Sequence, residues 1–200
     1  MNKPFALNKE AQQLASKLLA QAKENEPNIT KDLQNTASEI LAKIVGLESK
    51  FKTEISLVRK LIDRADFNSE SIREIAESVN DVLRYTFILP FEIYAKGFRQ
   101  TIETLRELGY QIPENRIWNA WQTAGKRFDK GYRGVNITII SSQKQNFELQ
   151  FHSAESFRLK TETHFLYEEV RSRKTSKKRK SEIIETLIRM AENIKRPEGI

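Results

Sequence analysis

Two hundred residues, 38% of them hydrophobic, can close one core with room for a small appended part, and without cysteine there is neither a disulfide framework nor a thiolate metal site. No run approaches the roughly 18 consecutive apolar residues of a membrane helix, and the N-terminal stretch MNKPFALNKEAQQLASKLL has no continuous apolar signal core. A soluble protein acting in the cytosol is expected, with secretion or injection left open. The net charge of +7 equals that of one stretch, RSRKTSKKRK at 171–180, whose seven basic and no acidic residues leave the remainder neutral (+7 less +7).

In chain order, Leu7, Ala11, Leu14, Leu18 and Leu19 recur at helical spacing and predict an amphipathic helix over 6–23. Asn25-Glu26-Pro27-Asn28 predicts a break, and Leu33, Ala37, Ile40, Leu41 and Ile44 a second helix from Thr30 to Val45, closed by Gly46. Residues 1–45 therefore read as an N-terminal helical hairpin. Leu47 to Lys52 reads as short and extended. Glu54 to Ala65 reads as a helix with Ile55, Val58, Leu61 and Ile62 inward, and Ser69 as the cap of the next one. NDVLRYTFIL at 80–89 predicts a strand closed by Pro90. Phe91 to Leu108 predicts a helix ended by Gly109, and 110–121 holds a short strand that includes Ile117, Trp118 and Trp121.

Val135, Ile137 and Ile139 then alternate with Asn136 and Thr138, and Phe147, Leu149 and Phe151 with Glu148, Gln150 and His152. Period-two alternation predicts two half-buried strands, each with one polar face. A helix containing Phe157, His164, Leu166, Tyr167 and Val170 follows, and Ser181 to Ile194 is a C-terminal amphipathic helix. Strands joined mostly by short connections after one helical crossover predict an α+β domain with a mixed or antiparallel central sheet of about four to five strands flanked by helices.

Three groups of residues could carry chemistry. Asp81 opens the first strand and Glu148 sits on the polar face of the last. Carboxylates on adjacent strands suit a hard cation such as magnesium with phosphate, unless both are simply solvated. Lys126, Arg127, Lys130 and Arg133, with Gly125 and Gly131 among them, suit a polyphosphate or form a hydrophilic loop. No Walker-type glycine-lysine loop is present. Lys52, Ser56 and Lys60, spaced four apart, share one helix face. His152 and His164 lack the spacing and third ligand of a zinc site, and His152, on the face of Glu148, ranks higher for function. The basic tract is either a solvated linker or a contact for nucleic acid or another anionic surface.

Taken together, these pieces resemble the synthetase domain of the RelA/SpoT family, an alarmone synthetase-like nucleotidyltransferase domain, from Gly46 to Arg171. KFKTEISLVRK at 50–60 follows the family's Arg/Lys-x-Lys-Ser element and its later Ser-x-x-x-Lys. NDVLRYTFIL resembles its aspartate-bearing strand. Gly131-Tyr132-Arg133-Gly134-Val135-Asn136 lines up with its Gly-Tyr-Arg-Ser-Leu-His turn. FELQFHS with His164 lines up with its Glu-Ile-Gln-Ile-Arg-Thr strand and the histidine beyond it. Arg84 and Thr86 stand where the family has glycine and arginine, Asn136 replaces the turn histidine, and His152 replaces the arginine after the glutamine. The combination is similar to RelA/SpoT-like domains of polymorphic toxins and phage-associated proteins.

The resemblance divides the chain into the hairpin at 1–45, a synthetase domain at 46–172, and a basic tract with C-terminal helix at 173–200. It implies a pyrophosphokinase that moves the β,γ-pyrophosphate of ATP to the 3′-hydroxyl of a purine nucleotide. Asp81 and Glu148 would hold Mg2+ and act as the catalytic pair. Lys50, Lys52, Ser56, Lys60 and Arg84 would bind ATP and its phosphates. Tyr132, Lys130, Arg133, Asn136, Gln150 and His152 would bind the acceptor. It further implies a growth-inhibiting toxin, with room for an antitoxin or immunity protein as partner. Two alternatives stay open: the same transfer onto the 3′ end of tRNA, contacted by Arg171 to Lys180, and a non-catalytic nucleotide- or RNA-binding module.

Overall fold

The alternation at 135–139 and 147–151 does build a sheet with one apolar and one polar face. In a computed structural model that describes residues 3–122, 131–172 and 174–200, the five strands are β1 (Lys43–Val45), β2 (Arg84–Ile88), β3 (Ile117–Asn119), β4 (Val135–Ile140) and β5 (Asn146–His152). Their order is β1-β2-β5-β4-β3, with β2 and β5 parallel and every other pair antiparallel. The expected mixed α+β sheet is thus observed. The parallel β2–β5 pair at its centre sets the polar face, with Arg84 opposite Glu148 and Thr86 opposite Gln150.

The apolar face carries Tyr85, Phe87, Val135, Ile137, Ile139, Phe147, Leu149 and Phe151, all buried. Its rings meet edge to face: Tyr85 and Tyr110 on Phe147, Phe87 and Phe98 on Phe151. α1 (Lys3–Glu39) and α4 (Tyr94–Glu107) cover it. Thr30 Oγ1 lies 2.7 Å from the Tyr85 hydroxyl, and Tyr110 donates to Asp32 Oδ2 at 2.7 Å, which ties α1 to this face through two phenols.

α1 corrects the hairpin expected over 1–45: it is one continuous helix of 37 residues with Pro27 inside it. A mid-helix proline costs about 3 kcal/mol. Ile29 and Leu33, just beyond it, are 1% and 0% exposed, and burying two such side chains is worth roughly 3–6 kcal/mol, enough to keep the helix running. Leu47–Ser49 forms a short 3-10 turn where an extended stretch was expected.

α2 (Glu54–Asn68) buries Leu57 and Leu61, whereas Ile55, expected inward, is 84% exposed. The next helix, α3 (Ile72–Ser78), is capped by Ser71 in a full capping box with Glu74 and not by Ser69, which instead ends α2 in a left-handed conformation. The single helix expected after β5 divides at Thr163 into α5 (Ala154–Glu162) and α6 (His164–Arg171). α7 (Lys177–Glu192) starts earlier than expected, so its first turn includes the end of the basic tract. Cations at a helix N-terminus oppose the helix dipole. Arg179 is the cation that finds a partner, Glu169 of α6 at 2.8 Å. Ile183 and Leu187 of α7 pack on Val170 in a small second core. None of the helices among the described residues is long and apolar enough to cross a membrane.

Candidate active site

The polar face of the sheet is not covered flat. α2 stands along one side of it and α5–α6 along the other, leaving a cavity of about 870 Å³. α2 reaches it with Ser56, Arg59, Lys60, Asp63 and Arg64, the face opposite Leu57 and Leu61. α5–α6 reach it with Ser156, Leu159, Lys160, Thr163, His164 and Tyr167. That spacing is one helical stripe that carries across the break at Thr163.

Asp81 precedes β2 instead of opening it. An isolated bridge between Phe51 and Leu83 brings the start of the α2 segment alongside, with the Lys52 amide donating to the Val82 carbonyl at 2.9 Å. This pairing aims Lys52 at Asp81. Lys52 Nζ lies 3.0 Å from one Asp81 oxygen and Lys60 Nζ 2.5 Å from the other. Burial alone would push the Asp81 carboxyl up, but the Lys60 and Lys52 charges outweigh it and hold it down at about 2. Burial lowers the Lys60 ammonium even against the pull of Asp81. The triad is thus a carboxylate clamped between two cations, all three mostly out of water.

Because Asp81 binds its proton less tightly when folded than its ordinary 3.8, its stabilising contribution is complete above that pH and lost as pH falls toward 2. The shift corresponds to about 2 kcal/mol, part of which the buried Lys60 ammonium takes back. Asp81→Asn should therefore lower the urea midpoint at pH 7 in chelator-treated protein, and the gap to wild type should narrow between pH 4 and 2. A gap constant across that range would contradict the clamp.

Glu148 projects from β5 beside Arg84. It accepts a short hydrogen bond from the Gln150 amide, and the Gln150 carbonyl accepts from Lys160 Nζ at 2.5 Å. The ammonium thereby fixes which end of the Gln150 amide faces Glu148. Burial, then the nearby Asp81 charge, pushes the Glu148 carboxyl above its ordinary range. Burial brings Lys160 down to about 8 despite the opposing pull of Glu148. A carboxylate of raised proton affinity beside a cavity is suited to accept a proton.

The third wall is the turn Gly131-Tyr132-Arg133-Gly134. The Tyr132 hydroxyl donates to Asn136 Oδ1 at 2.5 Å and lies 2.9 Å from His152 Nε2, while His152 Nδ1 lies 3.0 Å from Ser156 Oγ. A Cβ on Gly134 would sit 2.7 Å from the Phe151 carbonyl and 3.0 Å from the His152 ring, so glycine there lets turn and β5 close up.

Of the residues singled out in the sequence, Asp81, Glu148, Lys52, Ser56, Lys60, Arg84, Tyr132, Arg133, Asn136 and Gln150 line this one cavity. Arg133 is 5% exposed and donates to its neighbour's carbonyl, Tyr132 O, at 2.8 Å. Lys50 is turned elsewhere, to Glu26 of α1 at 3.1 Å. His152 shares the face of Glu148 but is fully buried behind Tyr132, and burial holds its ring neutral. Lys130, with Lys126 and Arg127, lies outside the described residues. His164, ranked below His152, lines the cavity. Sequence reasoning passed over Arg59, Arg64 and Lys160. The signal was there: 56, 59, 60, 63 and 64 form the helix face opposite the apolar one, and Lys160 lies one turn from Ser156.

No protein-family model matches the chain, and no curated protein matches it by sequence. Solved structures do. The chain is similar to small alarmone synthetase 2 of Bacillus subtilis, with a TM-score of 0.58 at 15% identity over 87% of this chain and 88% of that one. It is similar to the Type VI effector Tas1, solved in complex with its immunity protein, with a TM-score of 0.55 at 14% identity over 88% and 94%. It is also similar to small alarmone synthetase 1 of Bacillus subtilis bound to its product pppGpp, with a TM-score of 0.50 at 14% identity over 92% and 94%. The fold is that of the alarmone synthetases.

The resemblance read from four short motifs is borne out at that level. The divalent cation expected from the resemblance would meet two carboxylates here, those of Asp81 and Glu148. Asp81 and Glu148 line the same cavity, and each Asp81 oxygen already accepts from a lysine ammonium, so a cation there would compete with Lys52 and Lys60. Among the described residues no group of three or more histidines, cysteines or carboxylates could cage a metal. Two carboxylates completed by substrate phosphate oxygens is the usual composition for magnesium.

Proposed function

We propose that this protein is an ATP-dependent pyrophosphokinase that acts on the 3′-hydroxyl of a purine nucleotide and serves as a growth-inhibiting toxin. The observation that carries this reading is the Lys52–Asp81–Lys60 clamp set across one cavity from Glu148, within an alarmone-synthetase fold. Cations gathered at one end of a cavity and a carboxylate of raised proton affinity beyond them suit phosphoryl transfer. That chemistry asks for alignment and charge neutralisation more than covalent work.

Lys52, Lys60, Ser56, Arg59 and Arg64 bind the triphosphate, and Arg84 neutralises charge where the reacting phosphorus lies. Magnesium held by Asp81 and Glu148 supplies further neutralisation of the phosphate oxygens when bound. Glu148 takes the proton from the acceptor 3′-hydroxyl. The freed oxygen forms a bond to the β-phosphorus of ATP, the bond between that phosphorus and the α,β-bridging oxygen breaks, and AMP leaves. Gln150, pinned by Lys160, keeps the Glu148 carboxylate in place for the transfer. Incubation with labelled ATP and a panel of GDP, GTP, AMP, ADP, ATP and tRNA tests the reading. AMP release with a labelled product on one acceptor is expected. ATP binding without transfer to any acceptor would leave only a nucleotide-binding module.

One feature favours tRNA as the acceptor. Arg171 lines the cavity, and Lys174, Lys177 and Lys178, which follow it in the chain, are exposed, a run of cations that suits phosphates. If RNA runs along it, replacing Lys177, Lys178 and Lys180 with glutamine should lower transfer to tRNA at least tenfold and leave transfer to free nucleotide unchanged. Equal losses on both acceptors would count against that contact. That a structural neighbour, Tas1, is bound to an immunity protein supports looking for a protein partner encoded with this chain.

A further inference from the structure

We infer that Trp118 of β3 is the surface on which the acceptor base stacks, with Tyr132 serving as its rigid backing. The assignment rests on the pyrophosphokinase reading for its substrate class, and it makes Tyr132, which the resemblance implied as an acceptor-binding residue, a support of the base and not its direct contact.

Three observations converge on it. First, Tyr132 cannot swing to meet a ligand. Its hydroxyl is held by Asn136 and His152, its ring and that of His152 meet in a T-shape with centroids 5.1 Å apart, and Ser156 holds His152 in turn. Second, the Trp118 ring lies nearly parallel to the Tyr132 ring, 18° apart with centroids 5.2 Å apart. One face of the tyrosine is thereby covered by tryptophan. Third, Trp118 is 36% exposed and lines the cavity. An indole partly open to water beside a cavity retains unsatisfied apolar and π surface, whereas Trp121, three residues on, is 2% exposed in the core.

The register of the sheet places this platform. Thr86, Gln150, Asn136 and Trp118 are consecutive cross-strand partners, one from each of β2, β5, β4 and β3. The phosphate-binding cations stand at the β2 end of this row and the rings at the β3 end. Glu148 on β5 lies between them, two strand spacings across and two residues along from Trp118, roughly 12 Å. A nucleoside whose base lies on Trp118 directs its ribose along the row toward Glu148. The donor, held by α2, approaches from the other end. An acceptor base at the β2 end would meet cations instead of rings. A larger ring system covers more of the indole, so the platform favours purines over pyrimidines.

Binding measured without ATP tests this independently of turnover. Trp118 and Trp121 are the two tryptophans of the chain, and Trp121 is shielded in the core. Titration with GDP or ADP should quench the emission of the wild type, UDP should do so more weakly, and Trp118→Ala should lose the quench. By calorimetry, Trp118→Ala should weaken purine nucleotide binding roughly 5- to 150-fold, from the ~1–3 kcal/mol of one stacked base. Trp118→Phe should restore most of the affinity, and Trp118→Leu, apolar without a ring, should not. Purine affinity unchanged in Trp118→Ala, or restored equally by leucine, would overturn the assignment. Acceptor KM unchanged in an active Trp118→Ala enzyme would overturn it while sparing the proposed reaction. Ring-dependent purine binding without transfer to any acceptor would sink the proposed reaction and leave the platform standing.

Discussion

Glu148→Gln is expected to cut pyrophosphate transfer by about a hundred- to ten-thousand-fold, the range a positioned general base supplies. The substitution keeps the shape of the side chain and an oxygen to accept the Gln150 amide, so neighbouring residues have no reason to move. What it removes is the proposed proton acceptor, a carboxylate beside the cavity whose proton affinity burial and the Asp81 charge raise. The loss should fall mainly on kcat; ATP affinity in the presence of magnesium should fall as well, since Glu148 is also a proposed metal ligand, whereas acceptor binding measured without metal should be little changed because the ring platform stays intact. In a bacterial host, growth arrest caused by the wild type should disappear with Glu148→Gln. Steady-state assays retaining activity within a few-fold of wild type would remove Glu148 from the role assigned to it.

Gly131→Ala is the second large effect, and it acts on the scaffold. Gly131 has a φ of +76°, and an added Cβ would lie 2.3 Å from the Leu187 carbonyl oxygen and 2.5 Å from its carbon. The obstacle is α7 backbone, so no side-chain rotation relieves it. Overpacking of this kind costs about 1–3 kcal/mol and the left-handed conformation about 1–2 kcal/mol more. Gly109 isolates the second component, since its φ is +86° with nothing within 4 Å of an added Cβ. Urea unfolding should show Gly109→Ala losing about 1 kcal/mol and Gly131→Ala at least twice that, and amide exchange in α7 should rise only in Gly131→Ala. Equal losses in the two would mean that α7 does not rest on the turn. Because Tyr132 follows Gly131 directly, the same substitution should also loosen the Trp118–Tyr132 stack.

How much of the fold and the site is legible in the amino-acid sequence depends on the range of the interactions involved. β4 and β5, the apolar and polar faces they present, and α4 follow from alternation or helical spacing within single segments, since burying one face imposes those periods locally. The candidate residues Asp81, Glu148, Lys52, Lys60 and Tyr132 are likewise visible as chemistry-bearing side chains at characteristic spacing. Pro27 misleads because its local penalty is overcome by Ile29 and Leu33, whose burial depends on a sheet made from residues far along the chain. Ile55 misleads because α2 has two occupied faces, one to the core and one to the cavity, and a single apolar stripe cannot say which is which.

The pairing of β2 with β5 is the decisive long-range event. It joins residues 64 apart in register, Arg84 with Glu148 and Thr86 with Gln150, and no local pattern encodes which strand a central strand chooses. The chain alone therefore specified its α+β character, its polar strand face and the stock of cations and carboxylates, because these arise from side-chain type and short-range period. The clamping of Asp81 by two lysines, the retreat of His152 behind Tyr132, the entry of Lys160 and the stack of Trp118 on Tyr132 arose only on folding. Each is a contact between segments distant in sequence, set by strand order and by which surfaces are left to face one another once the core has closed.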